Sequence, residues 1–202
     1  MNPDEESALV GLERAVREHV RVAERTLDLL PVLGGIGVAL CTSFAGSGRL
    51  YTFGNGGSAA DAQHLVAEMI GRFDRDRRPL PAVSLTTDPS VVSCIGNDFD
   101  FEHVFARQVT ALAGPGDIVI AFTTSGRSPN VVAGLAAARE RGATTVLFGA
   151  GDGGRAAVHA DHRLLVRSDD TPRIQEMHLL LLHLLSEIVD SWAGHTQTDM
   201  AR

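Results

Sequence analysis

The stretch LYTFGNGGSAADAQHLVAEMIGRF, Leu50 to Phe73, decides how the rest of the chain is read. Leu50 to Phe53 is apolar and rich in aromatics, the composition of a short strand. Gly54, Gly56 and Gly57 break that run, and Ser58 with Asp61 has the S-x-x-D spacing of a helix start. The expected helix carries His64 and Glu68 four residues apart, hence on one face. Free backbone N–H groups and the positive end of the helix dipole converge at such a turn, so it can hold an anion. An imidazole and a carboxylate one turn beyond an anion point to chemistry on a phosphorylated small molecule.

The same alternation of strand and helix continues downstream. Short strands are expected at Ala82 to Leu85, Asp117 to Thr124, Thr144 to Phe148 and Arg163 to Val166. Asp117 to Thr124 (DIVIAFTT) is nearly all apolar, as in a strand buried on both faces. Helices are expected at Glu102 to Leu112, from Ser128 and Pro129 to Arg141, over a short Gly153 to His159 segment, and from Thr171 and Pro172 onward. The segment entering VVSCIGNDFDF from Thr86 reads as a loop. The sum is an α/β domain with a parallel sheet whose ligands bind at the strand carboxyl ends. Upstream, the periodic apolar residues of Glu5 to Leu30 and the run Leu33 to Phe44 predict two extra helices that cover the sheet or pair with another subunit.

Composition narrows the function class. The chain has 202 residues, 44% of them apolar, which suits one domain with a sizeable core. A net charge of −7 without a long basic run argues against nucleic acid as the main ligand. Cys41 and Cys94 form neither a disulfide framework nor a metal spacing, and their apolar neighbours predict buried, reduced thiols. The start MNPDEESALV has no basic end and no apolar segment of a signal peptide. The apolar stretches read as too short and too broken to span a bilayer, so a cytoplasmic protein without membrane partners is expected.

A second anion turn follows the Asp117 strand. TTSGRS places Thr123, Thr124, Ser125 and Ser128 within six residues before a helix, with Arg127 as a nearby cation. Hydroxyls and free N–H groups there form a phosphate cradle without lysine, although an ordinary capped turn has the same letters. Other readings also stay open elsewhere. His64 and Glu68 suit a solvated pair as well as a site, and His178 and His183, inside an apolar helix, suit satisfied core positions. Gln175 suits a polar group of a capping turn, and Asn97 with Asp98 suits a turn.

The set GNGGSAADAQH, Glu68, GNDF (96–99), TSGRS (124–128) and RIQEMHLLLLH (173–183) resembles the SIS (sugar isomerase) family, specifically the phosphoheptose isomerases, over nearly the whole chain. The resemblance implies a five-stranded parallel, flavodoxin-like sheet in residues 49–202, with 1–48 as helices packed on it or on a neighbouring subunit. It implies conversion of D-sedoheptulose 7-phosphate to D-glycero-D-manno-heptose 7-phosphate through an enediol. By motif, Asn55, Gly56, Gly57, Ser58, Glu68, Asn97, Asp98 and Gln175 would contact substrate, and Thr123, Thr124, Ser125 and Ser128 its phosphate. His64, Glu68, Gln175 and His183 would bind zinc (Zn2+), with Glu68 as base and His183 as acid, usually in a homotetramer with sites at subunit boundaries. Thr123 where the family often has Ser, Arg127 where Asn is common, and Pro172 where some members have Asp are departures. A non-catalytic relative that binds a replication initiator (the DnaA initiator-associating type) and a sugar-phosphate sensor are the alternatives. The retained Glu68 and His183 favour the enzyme.

The spacing of two of these residues bears on assembly. Gln175 and His183 stand eight apart, roughly 12 Å along a helix at ~1.5 Å per residue. Metal–nitrogen bonds are about 2.0–2.1 Å, so one helix would strain to give both residues to a single ion. Ligands drawn from two subunits would remove that strain, so a metal site here predicts an oligomer.

Overall fold

Five apolar runs pair into one parallel sheet in the order β2-β1-β3-β4-β5. The strands are β1 (Leu50–Gly54), β2 (Ala82–Ser84), β3 (Ile118–Phe122), β4 (Thr144–Ala150) and β5 (His162–Val166). The computed structural model describes the backbone of residues 3–200 and the side chains of residues 5 and 7–194. Leu50 stands beside both Ala82 and Ile118, so β1 is flanked on either side by later strands. The chain therefore leaves β1 in one direction and crosses to β3 in the other, opening a crevice above their carboxyl ends.

Period-two alternation divides the core into two layers. Ile118, Ile120 and Phe122 face one side, where α2 (Leu30–Ala45), α3 (Gly57–Ile70) and α7 (Thr171–Met200) supply Ile36, Leu40, Leu65, Met69, Leu181 and Leu185. Val119 and Ala121 face the other, against α5 (Val104–Leu112) and α6 (Pro129–Glu140) through Phe105, Val109, Val131 and Leu135. α7 is apolar nearly all round because it packs on α1 (Pro3–Thr26), α2, α3 and the sheet together.

Three expectations need correction. The segment after Thr86 is not wholly loop: α4 spans Pro89–Asp98, capped by Asp88, whose carboxylate accepts from the Ser90 and Val91 amides. An Asp-Pro start of this kind is a strong local helix signal, and it outweighs the β-branched Val91-Val92 pair. Cys94, on that helix, is exposed rather than buried, whereas Cys41 is buried and burial pushes its thiol up to about 11. The helical run Ser7–Ala45 does contain an 18-residue window apolar and long enough to cross a bilayer, with 39% of it buried. Its apolarity has a local use, since Leu33, Ile36, Leu40 and Phe44 belong to the sheet-side core.

The two N-terminal helices play different parts. α2 covers the sheet, whereas α1 turns Val22 inward and leaves Leu9, Leu12, Val16 and Val20 exposed along one stripe. The covering role expected of these helices falls to α2.

Candidate active site

The two glycine and hydroxyl turns lie side by side because β1 and β3 are neighbours. After β1, Gly56 adopts φ +57°, a left-handed conformation that glycine takes without penalty, and α3 begins at Gly57. A Cβ on Gly57 would collide with the Gln175 amide, so the missing side chain lets α7 close on the start of α3. After β3, Gly126 has φ +62° and packs against the Gly153 carbonyl. The Gly126 amide donates to Thr123 Oγ1 at 3.2 Å, and its carbonyl accepts from Ala156 N at 2.9 Å.

One pair of side chains ties the turns together. Asn55 and Asn130 exchange two amide hydrogen bonds, each 2.9 Å. Asn55, expected on the substrate, thus locks the GNGGS turn to the first turn of α6. Asn130 was not singled out from sequence; its place one residue after the Ser-Pro helix start was the available signal.

The TTSGRS turn keeps the features of an anion site. Thr123 is buried, Thr124 is half-buried and Ser125 is exposed. Ser128 occupies the N-cap position of α6 without a side-chain capping bond, so its hydroxyl is not tied to its own helix. Thr124, Ser125 and Arg127 line a cleft together with Ser168, Asp169 and Thr171. Arg127 and Pro172, two of the departures, are both exposed.

Three of the four expected metal-ligating residues converge within this one chain. The ligand atoms of His64, Glu68 and His183 all lie within 4.8 Å of one another. His64 Nε2 stands 2.9 Å from Glu68 Oε1 and 3.3 Å from His183 Nε2. Ligands about 2.0–2.1 Å from a tetrahedral zinc are themselves roughly 3.3 Å apart, so two imidazole nitrogens and a carboxylate oxygen in this arrangement fit that ion. Gln175 stands apart against Gly57, about two helical turns from His183, as its eight-residue spacing requires. The Glu68 side chain is only 17% exposed, and Phe73 packs on the His183 ring with centroids 5.5 Å apart.

Other expected residues lie elsewhere or act differently. Ser58 is buried inside the first turn of α3 and does not cap it. Asp61, its supposed partner, has a buried Oδ2 with no hydrogen bond; burial pushes its carboxyl up to about 6, against the opposing pull of His64. Asn97 and Asp98 sit exposed at the end of α4 and bond to each other at 2.7 Å. Among the described residues no hydrogen bond joins either of them to the His64, Glu68 and His183 cluster.

Residues 31–150 match the SIS domain family. The chain is 50% identical over 151 residues to the phosphoheptose isomerase of Aquifex aeolicus, covering 75% of this chain and 79% of that one. To the phosphoheptose isomerase of Geotalea daltonii it is 43% identical over 180 residues, covering 89% and 94%. The structure of a phosphoheptose isomerase from Neisseria gonorrhoeae superposes with a TM-score of 0.86 at 37% identity, covering 91% of this chain and 99% of that one. With glycine and hydroxyl turns after adjacent strands and a His/Glu/His cluster between α3 and α7, this chain belongs to the SIS domain family and, within it, to the phosphoheptose isomerases.

Proposed function

We propose that this protein interconverts D-sedoheptulose 7-phosphate and D-glycero-D-manno-heptose 7-phosphate, with Glu68 as base and His183 as acid. The observation that carries the assignment is the convergence of Glu68 and His183, 115 positions apart in sequence, with His64 in one cluster where α3 meets α7. Thr123, Thr124, Ser125, Ser128 and the α6 N-terminus hold the phosphate, fixing the far end of the sugar. With that end fixed, the reacting carbons are presented to the cluster as in an intramolecular reaction.

Glu68 removes a proton from C1 of the ketose, and the C–H electron pair becomes the C1=C2 bond. The carbonyl π pair moves to O2, which takes a proton from His183. The enediol then gives its O1 proton to His183, restoring the acid, as C2 takes one from the Glu68 carboxylic acid, leaving the aldose. Partial burial of Glu68 keeps water from competing for that proton. His64, Glu68 and His183, with a Gln175 drawn from a neighbouring subunit, are the residues that would hold zinc, and a bound zinc would supply Lewis acidity to the carbonyl and hydroxyl oxygens. A carboxylate held tightly by a metal is a weaker base, so the two roles of Glu68 compete.

The protein is proposed to act in the cytoplasm as a homotetramer with sites at subunit boundaries. The exposed α1 stripe of Leu9, Leu12, Val16 and Val20 supports assembly, since a helix face of this kind is covered by another apolar surface. Incubation with sedoheptulose 7-phosphate, with and without chelator, followed by product analysis, tests the activity. Glu68→Gln is expected to cut turnover by about 10²–10⁴-fold while inorganic phosphate still competes for the cradle. Near-normal turnover in that variant rules out Glu68 as the base.

A further inference from the structure

We infer that the buried Arg77–Asp190 pair is a positioning clamp that fixes Glu68 on α3 against His183 on α7. This rests on the reading of Glu68 as the base. Both side chains are sealed from solvent, Arg77 at 0% and Asp190 at 3% exposure, with Nε to Oδ1 at 2.6 Å. α3 has no basic residue in its last turn, so its carbonyls need donors from elsewhere. Arg77 supplies them: Nη2 donates to the Glu68 carbonyl, and Nη1 to the carbonyls of Met69 at 2.8 Å and Arg78 at 3.0 Å. The other oxygen of Asp190 accepts from the Asp74 and Arg75 amides, each at 2.8 Å.

The geometry links both reacting groups. Asp190 is two turns beyond His183 on α7 and on the same face, and Arg77 grips the backbone of Glu68 itself. Phe73, from the same connecting segment, packs on His183. A guanidinium fork meets one carboxylate and three carbonyls at once; a lysine ammonium, with three donors at a single point, cannot span them. Loss of the fork frees the last turn of α3 and displaces the Glu68 carboxylate, and a shift of about 1 Å costs up to about 10²-fold in rate. The phosphate turn between β3 and α6 touches none of these atoms, so ground-state binding stays.

The test compares Arg77→Lys, Asp190→Asn and the apolar double variant Arg77→Met/Asp190→Leu with the unaltered enzyme and with Glu68→Gln. A buried ion pair replaced by apolar side chains of similar volume often keeps the fold, which is why the double variant is included. Any variant that folds is expected to lose about 10–100-fold in kcat with KM within about twofold. Such a split is not produced by a pair that only stabilises the fold. A folded variant with normal kcat, or with kcat and KM changed together, overturns the clamp, as does failure of all three to fold. If Glu68→Gln itself turns over normally, the base assignment fails instead, whatever the Arg77 variants do.

Discussion

His178 gives the fold a stability that acid removes. The residue is fully buried in α7, with Nε2 donating to the Gly149 carbonyl at 3.1 Å and Nδ1 without a partner. Phe122 and Phe148, each with its ring centroid 6.0 Å away, wall it in. Burial therefore pushes its pKa down from 6.5 to about 4, with the Gly149 bond opposing. The folded value lies below the unfolded one, so between about pH 6.5 and 4 the unfolded chain binds the extra proton and stability falls on acidification. At 1.36 kcal/mol per pKa unit the full shift is worth about 3 kcal/mol, of which about 2 kcal/mol is lost by pH 5. Asp61, raised to about 6, acts with opposite sign in part of this window. Asp190 is different again: burial raises its carboxyl, but the Arg75 and Asp74 amides and Arg77 outweigh that and hold it below the usual value, so its loss comes only below about pH 4. The clean quantity is therefore the difference between the natural chain and His178→Gln, which keeps a donor for Gly149 and does not titrate. Urea unfolding of both proteins at one fixed concentration, at pH 7.5, 6 and 5, should show the natural chain losing about 2 kcal/mol more than the variant. Parallel stabilities across that range would refute a neutral, desolvated His178.

Two further perturbations address the anion turn and the assembly. Gly126→Ala puts a Cβ into the Gly153 carbonyl at φ +62°, and is expected to destabilise the chain by more than about 1 kcal/mol. It should also weaken competitive inhibition by inorganic phosphate at least tenfold, and an unchanged inhibition constant would separate that turn from phosphate binding. Leu12→Asp with Val16→Asp places two charges in the exposed α1 stripe, each replacing a side chain whose burial is worth about 1.5–3 kcal/mol. The mass by light scattering should fall below that of the unaltered protein, and an unchanged mass would exclude this stripe from a subunit interface.

Strand and helix periodicity, glycine turns and Ser-Pro starts act over a few residues, so the alternating α/β order and the turns after β1 and β3 could be read from the sequence directly. The resemblance carried by GNGGSAADAQH and RIQEMHLLLLH placed His64, Glu68 and His183 in one site, where composition and spacing left each with an ordinary explanation. Only the packing of α3 on α7 decided that these three meet, that Gln175 stands apart from them, and that Ser58 and Asp61 do not cap their helix. The Asn55–Asn130 lock and the Arg77–Asp190 pair were invisible for the same reason. Both join residues 75 or more positions apart, and such a contact is set by where strand order and helix packing bring the chain back on itself, which no local pattern records.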